Sequence, residues 1–141
     1  MISETGGTSV LLPLHRATHR TLHALAGALA GLDLTASEIN TLANLADGRA
    51  RNVRELSADT GTRATTLTGV LDRLERRGYL TRELDPADRR SFRLSLTEPG
   101  RAVAARVHDA VIRIEHEALA GLSADQLAGY HAVIGALQEV P

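Results

Sequence analysis

Thr65, Thr66 and Thr68 place three hydroxyl groups within four positions, and Arg89, Arg90 and Arg93 place three guanidinium groups within five. A hydroxyl donates and accepts hydrogen bonds, and a guanidinium offers a planar fork of donors that matches paired anionic oxygens. Neither set is built for covalent chemistry. What they offer is recognition of an anionic partner by forked contacts, with hydroxyls reading polar edges beside them. Asp85 and Asp88 flank the arginine pair closely enough to hold a guanidinium in one pose. A flexible arginine loses much rotamer freedom on binding, so a neighbouring carboxylate that orients it has a purpose.

Catalytic constellations are missing. The chain has no G-x-S-x-G, no P-loop and no H-E-x-x-H. It also has no cysteine, which removes thiol nucleophiles, thiolate metal sites and disulfide switching together. Paired carboxylates occur only on helices of surface character. No enzyme and no cofactor is expected. His15, His19 and His23 recur every four residues, but they drift away from the apolar stripe of their helix. Three such side chains on one straight helix cannot converge on one ion, so no metal site is expected.

Charge is unevenly distributed. The formal net charge is −1. Residues 49–101 nevertheless hold twelve arginines against eight acidic residues, while both flanks are acidic. A basic middle suits an anionic partner for that segment. All 16 basic residues are arginine, which GC-rich coding alone would explain. No apolar run approaches the ~18 residues that span a bilayer, and "MISETGGTSVLL" carries no leader pattern. A cytoplasmic protein with no membrane partner is expected.

The elements that must position these residues are legible from period and caps. Leu11, Leu14, Thr18, Leu22, Leu25, Leu29 and Leu32 share one stripe, which predicts a helix from about Ser9 to Leu32. Thr35 with Glu38 and Asn52 with Glu55 read as capping boxes that open two short helices. Gly61 ends the second. Thr62 is then expected to cap a longer helix that stops at Gly78, with Ala64, Leu67, Val70, Leu71 and Leu74 inward and Thr65, Thr68, Gly69, Asp72 and Arg76 outward. The dipole of that helix alone accounts for Arg76 and Arg77 near its C-terminus. "YLTREL" and "SFRLSL" alternate as strands, with Leu80, Leu84, Phe92, Leu94 and Leu96 expected inward and a charged turn between them. Thr97 caps a long helix with Pro99 in its first turn. Ser123 and Gln126 cap the last helix, with Leu127, Tyr130, Ile134 and Leu137 expected inward.

Two short helices, a glycine turn, a third helix and a basic hairpin make a winged helix-turn-helix. The stretch "LSADTGTRATTLTGVLDRLERRGYLTRELDPADRRSFRLSLTEPGR" resembles the MarR family of transcription regulators. The pieces that carry the likeness are "TLTGVLDRLERRGYLTR", the turn "DPADRRS" with Asp88, Arg90 and Ser91, and "LSLTEPGR". The resemblance implies a mainly α chain forming one domain over 1–141. Residues 35–97 would form the winged helix-turn-helix lobe, three helices with a two- to three-stranded wing. Residues 9–32 and 98–141 would form a helical dimerisation region. It implies a homodimer that binds a pseudo-palindromic double-stranded DNA operator and responds to a small phenolic or aromatic acid, most simply as a repressor. Thr65, Thr66 and Thr68 would then contact the major groove beside Arg63, Arg73 and Arg89 would contact phosphates, and Arg90, positioned by Asp88, would enter the minor groove. His15, Arg16 and His19 are the candidate effector contacts, with ordinary surface histidines as the plain alternative. Gly69 departs from the family's pattern of a larger residue there. A helical interaction module that uses the same fold without DNA is the competing reading.

Overall fold

An apolar stripe needs a surface to cover it, and in this chain only some stripes find one. The computed structural model describes residues 9–141; the N-terminal stretch read above for a leader pattern lies outside the described residues through position 8. The described elements are α1 (Leu11–Ala28), α2 (Ala36–Leu45), β1 (Arg51–Asn52), α3 (Val53–Thr60), α4 (Ala64–Arg76), β2 (Leu80–Leu84), β3 (Phe92–Leu96), α5 (Glu98–Leu119) and α6 (Ala124–Gln138). The three strands form one antiparallel sheet in the order β1-β3-β2. Among the described residues no helix is long and apolar enough to cross a membrane.

Most expected caps form. Asn52 and Glu55 make both bonds of their box, as do Ser123 and Gln126. Thr97 accepts from the Gly100 amide. Gly61 and Gly78 take the positive φ that ends α3 and α4. Three local expectations need correction. The first helix does not run unbroken to Leu32. It ends at Ala28 and tightens into a 3₁₀ turn, Ala30–Leu32, before Asp33 turns left-handed. The carbonyls freed there are taken by Arg77, whose guanidinium donates to Leu32 and Asp33 oxygens at 2.8 and 2.7 Å. Thr35 caps α2, but Glu38 does not return the bond: its carboxylate accepts from the Thr35 hydroxyl and turns inward to arginines. Thr62 does not cap α4, since Arg63 occupies the N-cap without a side-chain bond.

The core lies in the winged-helix lobe. Leu42, Leu56, Leu67, Leu71, Leu74 and Leu94 are fully buried, and Ala104, Val107 and Ala110 of α5 close the lobe from above. The β-hairpin has its apolar residues on one face, as cross-strand pairs Leu80–Leu96 and Leu84–Phe92 show. Only its root is covered, however. Leu80 and Leu94 are buried, whereas Leu84 and Phe92 are 59% and 45% exposed. The hairpin projects past the lobe, so nothing remains to pack on its outer half. Along α6 no residue is buried, although Leu127, Ile134 and Leu137 are half-covered and Tyr130 is exposed.

Arg51 ties the lobe together electrostatically. Buried between α2 and α3, it meets Asp47 at 2.5 Å and Asp59 at 2.7 Å. The Arg51 hydrogen bond, with the Arg49 amide behind it, lowers the Asp47 pKa from 3.8 to about 2. A carboxylate depressed in this way stabilises the fold above its unfolded pKa and stops doing so as pH falls through the folded value. The stability gap between wild type and Asp47→Asn should therefore be constant near neutrality and close between about pH 4 and pH 2. Urea midpoints measured across that window check it. A gap that stays open at pH 2 would place the effect elsewhere.

Candidate nucleic-acid interface

The N-terminal turn of α4 is open. Arg63 has extended backbone and no side-chain cap, and among the described residues the amides of positions 64–66 have no protein acceptor. Free amides at the positive end of a helix dipole favour anionic oxygens. Thr65 and Thr66 are exposed there, with hydroxyls that make no hydrogen bond to protein among the described residues. The Thr68 hydroxyl is already committed as a donor to the Ala64 carbonyl at 2.9 Å, which leaves it only acceptor capacity. Leu67, Val70, Leu71 and Leu74 bury the opposite face and fix the direction in which the threonines point.

The turn between β2 and β3 is built by its two aspartates. Asp85 Oδ1 accepts from the Ala87 amide at 2.9 Å, and Asp88 Oδ1 accepts from the Arg90 amide at 3.0 Å. Backbone bonds from Asp88 to Asp85, from Ser91 to Asp88 and from Asp85 to Ser91 close the loop. Arg89 and Arg90 stand exposed on top. Among the described residues no carboxylate lies within ion-pair distance of either guanidinium. The expected salt link from Asp88 to an arginine head is therefore not the arrangement found. Asp88 shapes the backbone on which Arg90 rides, a tight Asx turn that competes with side-chain pairing for the same oxygens.

A third set of charged groups escaped the sequence reading. Glu38 is buried, yet Arg77 Nη1 lies 3.3 Å from its Oε2 and Arg73 Nε lies 3.5 Å from its Oε1. Arg77 also lies over the Tyr79 ring at 5.1 Å. Arg77 is thus a structural clamp between the α1–α2 junction and α4 rather than a dipole partner alone. Arg82 of β2 pairs with Asp72 and, at 3.5 Å, with Glu75, which locks wing to helix. A usable signal existed for Glu38. Its spacing of four and seven from Leu42 and Leu45 places it on the buried face of α2.

Away from this surface, α1, α5 and α6 enclose an open groove of about 450 Å³ with largely apolar walls. Leu14, Ala17, Thr18, Thr21 and Leu25 face it from α1. His15, Arg16 and His19 do not line it. At ~100° per residue they fall a quarter-turn or more from its centre, and all three are exposed. Among the described residues no three His, Asp or Glu side chains gather as metal ligands.

A helix with an open N-terminal turn beside a projecting basic hairpin, carried on one small core, defines a winged helix-turn-helix. Residues 31–91 match the MarR family. The HTH-type transcriptional regulator PecS of Dickeya dadantii is 35% identical over 75 residues, 53% of this chain. That match spans 45% of PecS, so the chain covers about half the length of this relative. Two solved structures extend the likeness to nearly the whole chain. The first is BpsR of Bordetella bronchiseptica, described with the regulation of its DNA binding by 6-hydroxynicotinic acid. It is 26% identical with a TM-score of 0.78, covering 100% of this chain and 98% of its own. The second is the repressor CouR bound to a 23-mer DNA duplex. It is 29% identical with a TM-score of 0.75, covering 92% of each chain.

Proposed function

We propose that the protein is a DNA-binding transcription regulator that acts as a homodimer on a pseudo-palindromic operator and is released by a small aromatic acid. The observation that carries the reading is the pairing of the uncapped, threonine-bearing start of α4 with the exposed arginines of the wing on one rigid lobe. Arg63, Thr65, Thr66 and Thr68 face the major groove, Arg73 and Arg89 face phosphates, and Arg90 reaches the minor groove from the turn that Asp88 shapes. The DNA-bound repressor CouR and the ligand-regulated DNA binding of BpsR support a ligand-responsive DNA-binding role here. For the effector, His15, Arg16 and His19 are the weaker candidates, since the groove-facing polar groups of α1 are Thr18 and Thr21.

Dimerisation is supported by surface that the single chain leaves uncovered. Val10, Leu11, Leu12, Leu119, Leu122, Tyr130 and Val133 are exposed along α1, the end of α5 and α6. So many exposed large apolar side chains on these three helices support an interface there. Light scattering at micromolar concentration should give twice the monomer mass, and a monomer there would remove the dimeric operator from the reading. The regulator itself is tested by capturing bound DNA genome-wide and titrating the recovered duplex at several salt concentrations. Affinity that falls steeply with salt is the expected signature of phosphate neutralisation. Salt-insensitive binding to a protein partner, with no duplex shifted, would favour the interaction-module reading.

A further inference from the structure

Two features at the recognition helix are left unused by the contact set above: a glycine on its outer face and, behind it, a buried carboxylate of α2. A Cβ placed on Gly69 would meet only Arg73 Nη1, at 3.8 Å. The Arg73 side chain therefore runs back over the bare backbone at Gly69. At its inner nitrogen it is held by Glu38, 3.5 Å away. The two ends of this pair differ sharply in exposure, with the Glu38 side chain 4% and the Arg73 side chain 44% accessible. Glu38 is itself fixed by the Thr35 hydroxyl at 3.0 Å and by Arg77 at 3.3 Å. Among the described residues the terminal nitrogens of Arg73 make no hydrogen bond to protein, so the outer edge of the fork is free.

We propose that Glu38 is a positioning residue for DNA binding: through Arg73 Nε it holds the guanidinium over Gly69, with the outer N–H groups presented to a DNA phosphate. The proposal rests on the DNA-binding reading above. An unheld arginine gives up rotamer freedom when it docks, and a buried carboxylate removes part of that loss before DNA arrives. Gly69 belongs to the same device, because a longer side chain there would occupy the space the guanidinium uses. The sign of the effect separates this idea from plain electrostatics. Removing a negative charge near DNA should strengthen binding if charge alone mattered, whereas loss of the held pose should weaken it.

The test titrates the full chain against a duplex recovered from its own bound DNA, using wild type, Glu38→Gln, Arg73→Ala and the double variant. Arg73→Ala should weaken binding across duplex sequences and lower the salt slope by about one per half-site, about two for the dimer. Glu38→Gln should weaken binding about five- to tenfold in the presence of Arg73 and by less than about twofold in its absence. Equal losses in both backgrounds would mean that Glu38 acts through Arg77 or the fold, and would overturn the proposal. So would a Glu38→Gln protein that binds as well as wild type or better. Gly69→Gln leaves Glu38 in place and keeps the question decidable if Glu38→Gln does not fold. It should bind DNA more weakly with a melting temperature no lower than that of wild type, and unchanged affinity would overturn the proposal. A wild-type protein that shifts no recovered duplex would instead sink the DNA-binding reading itself.

Discussion

Arg90→Ala should lower operator affinity by about two orders of magnitude while leaving the fold intact. The side chain is exposed and has no ion pair among the described residues, so its removal costs the lobe little. In a minor groove, focused negative potential and charge-assisted contacts make such an arginine worth about 1–3 kcal/mol per half-site. A dimer carries two wings, and independent half-sites double the loss. Asp88→Ala should weaken binding as well, for a reason visible in the turn. Its Oδ1 accepts the Arg90 amide at 3.0 Å, and its carbonyl accepts the Ser91 amide at 3.1 Å. Without the carboxylate the first bond is lost and the backbone under Arg90 loosens. Deleting a negative charge beside DNA should otherwise help, so the sign is diagnostic. Gel-shift titrations at fixed salt, with circular dichroism for folding, decide both. A folded Arg90→Ala protein of unchanged affinity would reject the wing as a DNA element. A folded Asp88→Ala protein that binds at least as well as wild type would reject the shaping role.

How far the sequence reached depended on the range of the interaction concerned. Caps are local, and Asn52–Glu55 and Ser123–Gln126 were legible because donor and acceptor lie three residues apart. The stripe of α4 was legible for the same reason, since one helix period sorts Leu67, Val70, Leu71 and Leu74 from the threonines. Glu38 shows where this breaks down. Its local pattern is that of a capping box, yet Arg73 and Arg77, 35 and 39 positions away, draw its carboxylate inward. Buried attraction to two guanidinium groups outweighs one bond to a solvent-reachable amide. Leu84 and Phe92 fail for a related reason. Alternation assigns a face, but it does not say where along the strand the covering core ends. In the turn, residue types placed Asp88 beside Arg90 but missed which bond joins them. Asp88 and Arg90 are neighbours as expected, but the carboxylate prefers the amide two residues on.

Gly100→Ala should be the most damaging single methyl in the chain, and nothing in the local pattern of α5 announces it. Gly100 stands in the first turn of that helix, where alanine is ordinarily the better residue. Its backbone, however, is pressed onto the root of the wing. Thr97 accepts the Gly100 amide at 3.1 Å, its hydroxyl donates to the Gly78 carbonyl at 2.5 Å, and its own amide donates to the Tyr79 carbonyl at 3.0 Å. These bonds draw the helix start so close that a Cβ on Gly100 would lie 1.9 Å from the Tyr79 oxygen and 2.8 Å from its carbon. Backbone atoms cannot rotate aside as a side-chain tip can, so the first turn of α5 must lift away from β2. That strains the Thr97 bonds and opens the buried seam at Leu80 and Ala104. A cost of about 3 kcal/mol or more is expected from a forced backbone shift of this kind. Gly69→Ala supplies the internal comparison. Its Cβ meets only Arg73 Nη1, at an ordinary 3.8 Å, so relief of helical glycine should stabilise by about 0.5–1 kcal/mol. The same substitution thus carries opposite signs at two helix positions. Urea denaturation at one fixed protein concentration, which keeps any contribution of self-association constant, reads both. A Gly100→Ala midpoint at or above that of wild type would show that the contact between α5 and Tyr79 is not what sets the helix start.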